Sequence, residues 1–73
     1  MLLNLKTEIA RRKLSQAKIA RTIGIGEKTM SNKVTEKNEF SRKEMYLIHD
    51  FFFSDMDMRY LFASDLKGGD THD

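Results

Sequence analysis

The stretch from Ser15 to Val34, "SQAKIARTIGIGEKTMSNKV", holds two helix-length segments that meet at Gly24-Ile25-Gly26. Ser15 is a favoured N-cap, and Ile19, Ala20 and Ile23 recur at the spacing of a buried helical stripe. Gly24 follows at once, where a helix end wants a residue tolerant of positive φ. The second segment, Glu27 to about Thr35, has two apolar anchors, Met30 and Val34. At about 100° per residue, Lys28 and Asn32 point almost opposite them, with Ser31 and Thr35 on one flank and Thr29 on the other. A short glycine turn sets such helices at roughly 90–120°, with Ile25 plugging the corner. The pair shares one core, and the second helix turns a hydrogen-bonding face outward.

The flanking sequence extends the helical pattern. A first helix is expected over Leu3 to Lys13, with Leu5 and Ile9 inward and Leu14 closing it. "SRKE" places Ser41 three residues before Glu44, a capping box. Phe40 stands at the staple position, and Met45, Ile48 and Phe52 follow at helical spacing. A fifth helix is expected after Ser54, with Asp57 as its box partner, running through Met58, Leu61 and Phe62. Proline is absent and alternating strands are not found, so the expected class is all-α with five helices. Residues 1–66 form the expected domain, and the tail "KGGDTHD" (67–73) is expected to be disordered, since paired glycines among polar residues bury too little to offset ordering.

At 73 residues the chain suits one domain with a single core. It has no cysteine, which excludes disulfides, thiolate metal sites and a cysteine nucleophile. No apolar run approaches the roughly 18 residues of a membrane span, and the start lacks the apolar segment of a signal peptide. A soluble, cytoplasmic protein is expected. The two histidines, His49 and His72, have no neighbours at metal-ligand spacing. No nucleophile–base arrangement stands out either. Catalytic residues, a metal, a cofactor and a small-molecule ligand are therefore not expected.

The net charge of +2 conceals an asymmetry. Residues 1–43 carry eleven Lys/Arg against four acids, a net +7; residues 44–73 carry two against seven, a net −5. The basic half is suited to a polyanion. Within it, the outer face of the third helix offers small side chains for close approach, an amide able to pair adenine, and a cation for guanine or phosphate. These are the requirements of a DNA major groove.

The same residues carry a resemblance. "QAKIARTIGIGEKTMSNKV" resembles the helix-turn-helix of the phage repressor and Cro family, with Gln16, Ala20, Gly24, Ile25, Met30 and Ser31 falling at its patterned positions. The continuation "SNKVTEKNEFSRKE" is similar to small regulators common in prophages of Gram-positive bacteria. The resemblance spans about Leu3 to Phe62. It implies a five-helix lambda-repressor-like DNA-binding domain acting as a transcriptional regulator on a double-stranded operator. Carried over residue by residue, it implies base contacts from Lys28, Ser31, Asn32 and Glu27. Glu27 would accept from cytosine N4 or merely serve the helix dipole. It further implies phosphate contacts from Gln16, Thr29, Lys33, Lys37 and Arg42. Two positions depart from the pattern. Ile9 and Val34 stand where many members pair Arg with Glu, and are expected to touch. Glu36 stands where similar regulators close the third helix with glycine, which predicts a longer helix or a strained turn.

"HDFFFSDMDMRYLF" concentrates aromatics in the acidic half. Consecutive Phe51, Phe52 and Phe53 cannot all face one core from a helix. Family members bind paired half-sites as two-fold dimers, so Phe51, Phe53 and Phe62 are candidates for a homodimer interface, weak or completed on DNA. The alternative, from another class, is an antitoxin-like or anti-repressor module that uses the same fold to dock a protein.

Overall fold

The computed structural model describes residues 1–64, so the expected tail at 67–73 lies outside the described residues. Five helices follow in order: α1 (Leu3–Arg11), α2 (Gln16–Ile23), α3 (Glu27–Val34), α4 (Arg42–Phe52) and α5 (Met58–Leu61). No strand occurs among the described residues, and the class is all-α. None of their helices is long and apolar enough to cross a membrane.

α1, α2 and α3 end alike. The residue closing each turn has left-handed φ: Lys13 at 58°, Gly24 at 84° and Glu36 at 69°. The next amide reaches back into the final turn, from Leu14 to the Ile9 carbonyl (2.9 Å), Ile25 to Ala20 (2.9 Å) and Lys37 to Asn32 (2.8 Å). Carbonyls that a helix end would otherwise strand are thereby satisfied. Leu14 and Ile25 are then folded back against the core. The absent glycine at Glu36 thus gives a strained turn and not a longer helix. Its carboxylate helps to hold that turn, meeting the Met1 amino group at 2.8 Å and accepting from the Ser64 hydroxyl at 2.6 Å.

The core draws on every helix. Leu5, Ile9, Ile19, Ala20, Met30, Val34, Ile48 and Leu61 are buried together, and Ile9 and Val34 belong to the same cluster. Leu2 joins them from ahead of α1, and its N–H donates to the Val34 carbonyl at 2.8 Å. α2 packs on α3 and α4, while α1 packs on α3 and α5. The Ser41–Glu44 capping box forms in full.

The end of α4 departs from expectation. The helix stops at Phe52, and Phe53 (φ −137°) leaves the helical path and turns its ring fully inward. Phe53 is core, so it is withdrawn from the surface proposed for a dimer. α5 is a single turn after Ser54 in which Asp57 is the N-cap, not the box partner, and accepts from the Arg59 N–H at 3.3 Å.

A polar latch closes this junction. Arg12 meets both oxygens of Asp55 at 2.8 Å, donates to the Phe52 carbonyl at 2.7 Å, and lies 4.9 Å from the Phe53 ring centre. His49 sits between the Asp50 carboxylate (3.0 Å) and the Met56 carbonyl (2.8 Å). Across from α5, the Tyr60 hydroxyl donates to Glu8, which is buried, and Asn4 donates to the Tyr60 carbonyl, both at 2.8 Å.

Candidate nucleic-acid interface

α3 is short, and one stripe holds it. Met30 is 0% and Val34 1% exposed, and both belong to the central cluster. The other side of the helix is left to solvent. Glu27, Lys28, Thr29 and Ser31 are exposed, and Asn32 is half-buried. Among the described residues, the side chains of Lys28 and Asn32 make no hydrogen bond or ion pair. Thr35 is occupied instead, its hydroxyl bonding the Ser31 and Asn32 carbonyls at 3.0 and 3.2 Å.

The corner ahead of α3 needs one glycine, not two. Gly24 holds the left-handed conformation that closes α2. Gly26 is the N-cap of α3 at φ −76°, ordinary extended backbone, and a Cβ there would meet only the Thr29 hydroxyl, at 4.0 Å. Lacking a side chain, Gly26 leaves the first-turn amides of α3 without a side-chain cap.

Around this face the residues expected at phosphates divide into two kinds. Gln16 opens α2 half-buried, Lys37 follows the Glu36 turn exposed, and Arg42 opens α4 exposed. Lys33 differs, because it already has an acidic partner within the chain. Its ammonium lies 2.6 Å from Glu44 and 5.9 Å from the Phe40 ring, with its side chain 14% exposed. Partial burial works against the Glu44 carboxylate, but Lys33 and the Ser41 backbone and hydroxyl outweigh it, and its pKa falls below the ordinary value. Lys33 is therefore a strut between α3 and the cap of α4. A cation so committed would have to break this pair to reach phosphate.

Sequence reading passed over Lys18 and Arg21, three apart on α2 and both exposed. Together with Lys28, Lys37, Arg42 and Lys43 they make six exposed cations between residues 16 and 43 without an acidic partner among the described residues. Glu27 and Glu39 are the unpaired acids of that segment. The place of Lys18 and Arg21 opposite Ile19, Ala20 and Ile23 at helical spacing is the signal that could have found them.

Of the aromatic candidates, Phe51 is 63% exposed. Phe62 is half-buried, its ring set edge-on to Phe40 with centres 5.6 Å apart. Among the described residues no three His, Cys, Asp or Glu are grouped to hold a metal ion. No protein-family model matches the chain, and neither does any curated protein or solved structure compared with it.

Proposed function

We propose that this chain is a sequence-specific DNA-binding transcriptional regulator, similar to phage repressor and Cro proteins, with α2 and α3 as its helix-turn-helix. The observation that carries the reading is the outer face of α3, where Lys28 and Asn32 lack internal partners on a helix rigidly anchored by Met30 and Val34. Such groups bond only water in the free chain and remain available to a ligand. A base edge in the major groove would complete them, an amide pairing adenine and a cation meeting guanine.

In this reading Lys28, Ser31 and Asn32 face bases, with Glu27 at the leading end beside cytosine N4 or serving the helix dipole. Gln16, Thr29, Lys37 and Arg42 grip the backbone, joined by Lys18 and Arg21. The Lys and Arg side chains among them supply most of the affinity, and therefore its salt dependence. The protein would act in the cytoplasm as a two-fold dimer on paired half-sites, blocking polymerase or a competing regulator by occupancy.

Selection of bound DNA from random duplexes at two salt concentrations tests the function. Enrichment of a short, two-fold-related motif with steep salt dependence is expected. Recovery of no preferred sequence would overturn the reading. Exposure of Tyr46 and Phe51 favours a second reading, docking of another protein. There, Lys28→Ala and Asn32→Ala would be silent and Phe51→Ser decisive.

A further inference from the structure

α4 has one face that nothing in the described fold covers. Lys43, Tyr46, Asp50 and Phe51 are exposed, and Leu47 between them is half-buried. Tyr46 is 50% and Phe51 63% exposed, among the largest apolar groups left in solvent. Their spacing of three, four, seven and eight gathers these five side chains on one side of the helix, away from buried Ile48.

The charge on this face is ordered. Lys43 stands near the N-terminal end and Asp50 seven residues on, beyond the apolar centre of Tyr46 and Leu47. Two copies running parallel would set like charges together. Running antiparallel about a two-fold axis between positions 46 and 47, they set Lys43 of each against Asp50 of the other, and Tyr46 against Leu47. Such a patch is self-complementary, as a two-fold interface requires.

From this arrangement we infer that the outward face of α4 is a docking surface for a second copy of this chain, paired antiparallel through Tyr46, Leu47 and Phe51 and flanked by two Lys43–Asp50 ion pairs. Phe53 and Phe62 take no part, because the fold has already used them. With the axis between positions 46 and 47, Arg42 of each copy stands at the level of Phe51 of the other and, four residues before Tyr46, borders the pair. One oxygen of the Asp50 carboxylate meets His49 Nδ1 at 3.0 Å, and the side chain stays 70% exposed. α4 is about 16 Å long at 1.5 Å per residue, so the contact belongs to the small, weak class of interfaces. The inference narrows the dimer proposed above, yet it concerns self-association without DNA. Its failure would leave α3's reading of an operator standing, and the converse holds as well.

Sedimentation equilibrium of the full chain without DNA provides the test. The wild type should self-associate weakly, and Phe51→Ser, whose ring is already mostly in solvent, should weaken it about tenfold without unfolding. Lys43→Glu and Asp50→Lys each set like charges across both ends and should likewise associate about tenfold less tightly. An equimolar mixture of these two variants should recover association, because each then meets its opposite. A wild type that stays monomeric at millimolar concentration, single variants that pair as well as wild type, or a mixture no tighter than its components would each overturn the inference. If Asp50→Lys disturbs α4 by circular dichroism, Phe51→Ser and Lys43→Glu still decide it.

Discussion

The outer face of α3 and the junction of α1, α4 and α5 are both rich in polar side chains, and they use them in opposite ways. At the junction Arg12, Asp55, His49, Asn4, Glu8 and Tyr60 all have partners within the chain. On α3, Lys28 and Asn32 have none. Counting polar residues would not separate the two regions. What separates them is whether the fold consumes their hydrogen-bonding capacity, because a group already paired has little left to offer a ligand.

The comparison can be broken from the junction side. Arg12→Ala removes an ion pair in which Nη2 reaches both Asp55 oxygens, a bond to the Phe52 carbonyl and a ring contact. With the Arg12 side chain 32% and that of Asp55 67% exposed, solvent screens the pair and a loss of about 1 kcal/mol of stability is expected. DNA binding should not change. Denaturant unfolding and a duplex titration of the same variant check both halves, and a large loss of binding in a folded Arg12→Ala protein would erase the division of labour.

The corner between α2 and α3 sharpens it. Gly24→Ala places a side chain at φ 84° and should cost about 1 kcal/mol or more. Gly26→Ser occupies open space at an extended N-cap and should stabilise by a few tenths of a kcal/mol. Thermal melts of the two variants, moving in opposite directions, would establish that the left-handed position alone demands glycine.

The smallest expected effect is one of pH. His49 has an acceptor at each ring nitrogen, which only the doubly protonated ring satisfies. Its pKa is raised, chiefly by the Asp50 carboxylate and then by the Met56 carbonyl. The stabilisation is therefore complete below the ordinary value of 6.5 and is lost as pH rises through the raised folded-state value. The melting temperature should fall between pH 6 and pH 8, and fall less in His49→Gln. An unchanged slope in the variant would remove His49 as the cause.

These contrasts also mark how far the sequence could be read. The five helices, the capping box and the polar face of α3 depend on neighbours within four residues, where helical periodicity acts directly. The pairing of Lys33 is not legible locally, because its partner, Glu44, lies eleven residues away on another helix. Arg12 and Asp55, 43 residues apart, and Glu8 and Tyr60, 52 apart, meet only once the chain has folded. Reading Phe51 to Phe53 as one helical run places Phe53 among the dimer candidates, but α4 ends at Phe52 and Phe53 turns inward. Glu36 accepts a left-handed backbone while its carboxylate is held by both ends of the described chain, and no local pattern encodes that.

Asn32→Ala, measured for stability and for DNA binding in one preparation, tests the central claim most directly. Unfolding free energy should stay within about 0.5 kcal/mol of wild type, as for a side chain with no internal partner. Affinity for the selected duplex should fall by about 1–3 kcal/mol while binding to a scrambled duplex holds. Equal binding to both duplexes before and after the substitution, or a loss of stability that accounts for the loss of binding, would contradict the claim that α3 is turned outward to read bases.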